Sequence, residues 1–277
     1  MTGSRKGSGF SLLLTLLVAF YFASSVFRSC ESTFSGSAEQ EYTIQNDDGE
    51  HVNRDFKVQF VTSSLDEKEY SIELSILKSS ITQALSMMEE LEQLSIEELG
   101  IDPDLEYRSP DLYQLQLWRG IYSRVFSNGY PLLEKIARGF HTICEKEEFN
   151  GKDKIRFIVA FVQQIEYERP GGAFDLFHPV IMLDRKFGDC DTKALLLHIL
   201  LERMGVDCAI YWSSYYRHAM LGIASGSYSG TYKLFSGKKY YFLETTMPGW
   251  EIGDMPPDVR QVSRWHLMKI NHNVMNR

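Results

Sequence analysis

The sequence predicts an α+β protein, on three observations. Two period-2 runs near residue 60 precede a long stretch of helical patterns. Helices with regular apolar faces continue to about residue 204. Three short strand-like runs then close the chain, giving helices followed by an antiparallel sheet. The chain has 277 residues, 44% hydrophobic and 24% charged, which excludes collagen-like and wholly disordered classes. Asp and Glu (37) outnumber Lys and Arg (29), so no basic stripe marks a nucleic-acid partner. Four cysteines without a CxxC pair are neither a disulfide scaffold nor a zinc motif, and no cofactor-binding motif is present.

The first element is residues 1–30. Lys6 and Arg28 bracket 21 uncharged residues, Gly7 to Phe27. As a helix these would span about 31 Å, against about 30 Å of hydrocarbon. Arg5 and Lys6 precede the run and acidic residues follow it, so the body is expected outside the cytoplasmic membrane. Two readings fit: an uncleaved signal anchor, or a signal peptide cut near Ser25, after which the body is secreted.

Residues 31–52, rich in Ser, Gly, Glu, Asp and Asn, read as a flexible tether. Region 53–150 begins with a hairpin: Phe56, Val58 and Phe60, then Tyr70, Ile72, Leu74 and Ile76, each alternate with polar residues. An acidic amphipathic helix is predicted over 80–99, and Glu89 to Glu106 carry eight acidic residues with no basic one. Two helices follow, 111–126 and 130–147, with Asn128-Gly129 as the break. The core is set at 151–260. Its first helix carries Ile155, Ile158, Val159, Val162 and Ile165 on one face, and its second runs from about Cys190 to Met204. Strands are predicted at Cys208–Trp212, His218–Ile223 and Lys239–Thr245, with 261–277 as a tail.

Cys190 stands at a helix start, where a helix dipole favours the thiolate, and Asp189 or Asp191 fits the N-cap. His218 follows 28 residues later and Glu244 a further 26, each on a strand-like run. An imidazole on the next strand would satisfy the carboxylate and be held in the tautomer that accepts a thiol proton. Each residue alone has a plainer role: a packed small hydrophobe, a structural histidine, a carboxylate paired with any Lys or Arg. The ordered set points to thiol chemistry. His178 reads as a loop residue, Cys144 and Cys208 as small packed hydrophobes able to pair in an oxidising compartment, and Trp250 as core or a wall of the cleft.

Residues 152–258 resemble the transglutaminase-like superfamily of papain-type folds, and most of all its membrane-associated bacterial and archaeal members. The resemblance rests on 161–167 (FVQQIEY), 187–193 (FGDCDTK), 217–222 (RHAMLG), 241–246 (YFLETT) and 249–253 (GWEIG). It implies a papain-like core, a nucleophile helix packed on an antiparallel sheet, with Cys190 as nucleophile, His218 as base and Glu244 as third member. It further implies that Gln163 donates to an oxyanion together with the Cys190 N–H. Glu in place of Asp at the third position, and Asp191-Thr192 where Glu-Asp is common, are departures from the wider pattern. The expected function is acyl transfer on an amide or peptide bond of a protein or peptide substrate, such as one of the cell envelope. Hydrolysis is preferred to transamidation, and no cofactor is used. The rival is a catalytically inactive binding module at the membrane surface.

Overall fold

The computed structural model describes residues 39–45, 49–171, 174–225 and 228–270. The apolar run at 7–27 lies outside them. Among the described residues no helix is long and apolar enough to cross a membrane.

Three strands come first: β1 (Gln40–Ile44), β2 (His51–Val61) and β3 (Glu67–Leu77). β2 and β3 form the expected hairpin, with Phe56 opposite Ile72 and Val58 opposite Tyr70. The alternation puts Phe56, Val58, Phe60, Tyr70, Ile72, Leu74 and Ile76 into the core. β1 lies in the stretch expected to be a tether. It pairs parallel to β3 instead, from Gln40 opposite Tyr70 to Ile44 opposite Leu74. Its alternation is short and only Ile44 is buried, so it carries little signal of its own.

Helices α1 (Lys78–Gln93), α2 (Leu105–Arg108), α3 (Pro110–Leu132) and α4 (Glu134–Lys146) follow. Asn128-Gly129 does not break α3, and the helix runs on to Leu132. A Cβ at residue 129 would lie 3.1 Å from Ile199 Cδ1 and 3.3 Å from the His178 ring. Gly129 therefore serves close packing rather than a turn. Helix α5 (Gly151–Gln164) starts at Asn150, whose side chain accepts from the Lys152 and Asp153 N–H groups. The loop before Cys190 holds α6 (Pro179–Arg185). The two-residue strands β4 (Glu166–Tyr167) and β5 (Phe187–Gly188) pair parallel on either side of it. Helix α7 (Cys190–Glu202) is buried on nearly all sides, as expected of a helix apolar all round.

Strands β6 (Cys208–Ser213), β7 (His218–Ala224), β8 (Tyr232–Phe235), β9 (Lys238–Leu243) and β10 (His266–Met268) form one antiparallel sheet, ordered β10-β6-β7-β9-β8. One face packs on α7. The other carries Tyr211, Met220, Tyr240, Phe242 and Trp265, with the rings of Tyr211 and Phe242 stacked 3.7 Å apart. Residues 261–270 thus belong to the body rather than to a tail. Trp265 is fully buried, and β10 pairs with β6.

The hairpin and the sheet share one apolar core. Phe157 of α5 sits at the join, its ring 5.4 Å from Phe60, 4.9 Å from Tyr70 and 5.4 Å from Phe149. Polar contacts fix the same seam. Asp153 accepts from Ser63 N (2.9 Å) and Oγ (2.6 Å), and Gln164 exchanges two hydrogen bonds with the backbone of Gln59. Because Phe157 fills a buried aromatic nest, Phe157→Ala is expected to cost about 3–5 kcal/mol in urea unfolding. A loss below about 1 kcal/mol would mean that hairpin and core do not pack together.

Candidate functional site

Cys190 opens α7. Gly188 and Asp189 lead into it, and Asp189 is the N-cap: its Oδ1 accepts from Thr192 N (3.0 Å) and Thr192 Oγ1 (2.6 Å). The opposing wall is the start of β7, which carries His218. Cys190 and His218 line one cavity of about 580 Å³, together with Asp189, Asp191, Trp118, Trp212, Tyr167 and Tyr216.

Glu244 follows the last residue of β9. β7 and β9 are antiparallel, with Leu221 opposite Leu243. One step further along that register places Glu244 two residues from His218 across the pair. The side chains meet, with His218 Nε2 2.8 Å from Glu244 Oε2. The second carboxylate oxygen accepts from Thr246 N (2.9 Å) and Oγ1 (2.7 Å). Burial alone would raise the Glu244 pKa. The bonds from His218 and Thr246 outweigh it and hold the carboxyl below its ordinary value. A carboxylate at Nε2 fixes the ring and leaves Nδ1 as the nitrogen free to serve a neighbouring thiol.

Gln163 is placed differently from the expectation. It is buried, and its Nε2 donates to the carbonyls of Glu244 (2.8 Å) and Trp250 (3.0 Å). Both amide hydrogens are spent on backbone, and the residue lines a separate cleft rather than the Cys190 cavity. It braces the chain that carries Glu244 and has no hydrogen to offer an oxyanion. Trp250 lines that same separate cleft. The carboxamide in the Cys190 cavity is Gln114 of α3.

The charge state of Cys190 also departs from the expectation. Burial, then Asp191, then Asp189 push the thiol well above its ordinary pKa, and the Ala219 N–H opposes them only in part. The Sγ donates to Asp191 Oδ2 at 3.3 Å. Tyr122 of α3, fully buried, donates to the other oxygen of Asp191. Asp189 is held up by burial and by the neighbouring carboxylate. The ligand atoms of Asp189, Cys190 and Asp191 lie within 4.8 Å of one another, the one group among the described residues with the spacing of a cation site. Their hydrogen bonds to Thr192 and Tyr122 already occupy part of that donor set.

Several residues of the site escape a reading by motif. Gln114, Trp118 and Tyr122 recur every four residues on α3 and so share a face. Trp118 stands 5.4 Å from the Tyr122 ring and 6.4 Å from the Trp212 ring. The spacing is visible in the sequence; its partner, helix α7 some seventy residues on, is not. Lys193 is also missed. It is fully buried and donates to the carbonyls of Gln163 (3.2 Å) and Thr246 (3.1 Å). His178 is buried and caps α6, its Nδ1 accepting from Val180 N at 3.2 Å. Burial drives its pKa down to about 3, so it stays neutral. Cys144 and Cys208 are buried and unpaired.

Comparison with known proteins finds no family model, no curated protein and no solved structure that matches the chain.

Burial lowers the Lys193 pKa from 10.5 to about 8, with Glu244 opposing. The folded protein therefore binds fewer protons at Lys193 than the unfolded chain between pH 8 and 10.5. Stability from this group rises as pH climbs through that window. The urea midpoint of the wild type should gain on that of Lys193→Met between pH 7.5 and 10, by up to about 2 kcal/mol in stability. A difference that stays flat with pH would show that Lys193 does not titrate in the fold.

Proposed function

We propose that the chain is a transglutaminase-like thiol acyltransferase acting on an amide or peptide bond. The observation that carries this reading is that Cys190 and His218 line one cavity while His218 Nε2 lies 2.8 Å from Glu244 Oε2. Cys190 Sγ attacks the substrate carbonyl carbon, and the thiol proton passes to His218. A C–S bond forms and the carbonyl π electrons move onto oxygen. As that oxyanion collapses, the C–N bond breaks and His218 returns the proton to the leaving amine. Water then cleaves the thioester, with His218 taking its proton, to give acid and free thiol. Backbone N–H groups at the α7 N-terminus would stabilise the oxyanion, assisted by Gln114, which lines the same cavity. Glu244 orients His218 and stabilises its imidazolium form. No cofactor takes part. The resting thiol is protonated, so the chemistry is general-base catalysis rather than attack by a preformed thiolate.

The apolar run at 7–27 fits a membrane anchor or signal peptide, which would place this site outside the cytoplasmic membrane facing protein or peptide substrates. A second reading, a binding module without turnover, is favoured by Asp191, whose Oδ2 accepts the Cys190 thiol hydrogen at 3.3 Å.

Peptidyl acyloxymethyl ketones, which present a carbonyl to the thiol, separate the two. Labelling at Cys190 should fall about 10²-fold in His218→Ala, and by a smaller factor in Glu244→Gln. Equal labelling in wild type and His218→Ala, followed by mass spectrometry of the Cys190 peptide, would reject the acyl-transfer reading.

A further inference from the structure

Cys190 and His218 each rest on a different carboxylate. His218 Nε2 lies against Glu244, and the Cys190 Sγ donates to Asp191 Oδ2 at 3.3 Å. Asp191 sits in the first turn of α7 and is only partly buried, so its side chain has a path toward solvent. Tyr122 holds it in place: the phenol hydroxyl donates to Oδ1 of the same carboxylate. The two carboxylate oxygens are rigidly linked, so a bond that fixes Oδ1 also fixes Oδ2. Tyr122 is itself held. It is fully buried on a helix of 23 residues, with its ring 5.4 Å from that of Trp118. Burial, then Asp191, raise its pKa well above the ordinary value, so the hydroxyl stays a donor into alkaline solution. A buried phenol usually finds a partner. Here that partner is the residue directly after the candidate nucleophile.

We propose that Tyr122 is a positioning residue whose hydroxyl fixes Asp191 on the thiol hydrogen of Cys190 and so keeps the candidate nucleophile at rest. What this restrains rests on the acyl-transfer reading above; the chain of contacts from Tyr122 through Asp191 to Cys190 does not. The other groups facing the sulfur are Asp189 of α7, tied to Thr192, the Ala219 N–H and His218 of β7, and Tyr167 of β4. Arg169, paired with Asp175, and Arg217 complete the charged groups of the cavity. Removing the Tyr122 hydroxyl leaves all of these in place and acts on Asp191. The carboxylate would then turn away or take up a proton. Either change lowers the negative charge beside the sulfur and eases loss of the thiol proton. That proton reaches His218 once the Asp191 contact is given up.

The test is the pH profile of Cys190 alkylation by iodoacetamide in the full-length protein, read from the Cys190 peptide by mass spectrometry. The thiolate sulfur displaces iodide, a C–S bond forms and the thiol proton is left in solvent. In Tyr122→Phe the profile should move to lower pH by about one pH unit, and in Asp191→Asn at least as far. The double variant Tyr122→Phe/Asp191→Asn should match Asp191→Asn, because the tyrosine acts through the aspartate. A merely structural tyrosine would change access to the sulfur and scale the rate equally at every pH. An unmoved profile in Tyr122→Phe, or shifts that add in the double variant, overturns the inference. Should Tyr122→Phe not fold, the infrared S–H stretch of Cys190, identified by its loss in Cys190→Ser, decides. It should lie lower in the wild type than the same band in Asp191→Asn, and equal frequencies overturn the inference. Ketone labelling indifferent to His218→Ala, beside a shifted profile, strikes the acyl-transfer reading and leaves the Tyr122 assignment standing.

Discussion

The site depends on one buried ammonium. Lys193 lies three residues into α7 from Cys190 and reaches two backbone carbonyls on different elements, Gln163 of α5 and Thr246 beyond β9. Gln163 in turn donates to the carbonyl of Glu244, and Thr246 donates to its carboxylate. The end of the sheet, α5 and α7 are thus tied at one point. A buried lysine is an expensive way to make that tie, because burial penalises its charge and Glu244 offsets this only in part. In return it is long enough to span from α7 to both neighbours while its stem packs among apolar side chains. Without it, the buried Gln163 carbonyl and the half-buried Thr246 carbonyl would lose this donor.

A second balance sets the state of the sulfur. A helix N-terminus favours the thiolate by about 0.3–1 kcal/mol. A carboxylate at about 4 Å opposes it by about 4 kcal/mol at an effective dielectric near 20, and Asp191 Oδ2 is closer still, at 3.3 Å. Desolvation adds to the same side. The sum keeps Cys190 protonated although it sits where helix dipoles usually generate thiolates. Position on a helix is a weak predictor of cysteine ionisation once charged neighbours are in contact.

Much of the architecture was legible from periodicity. The hairpin, α5, α7 and β6, β7 and β9 have patterns long enough to fix their type. β1, β8 and β10 are short and gain their order from strands already in place, so local sequence does not mark them. Asn128-Gly129 has the form of a break because glycine usually punctuates, whereas Gly129 lets α3 approach Ile199 and His178. The order of Cys190, His218 and Glu244 along a helix and two strands carried enough topology to group them. Gln163 was misplaced because a glutamine's direction follows from tertiary partners and not from its helix position. Asp189 and Asp191 are visible as capping residues, yet their effect on the sulfur follows only from their separation in the fold.

The acidic collar around Cys190 also bears on chemical durability. Peroxides attack thiolates far faster than thiols, and the sulfinic and sulfonic acids they finally yield are in most settings irreversible. A sulfur that is buried and protonated against Asp191 presents little thiolate to such oxidants. The arrangement that keeps Cys190 a thiol therefore also shields it from oxidation.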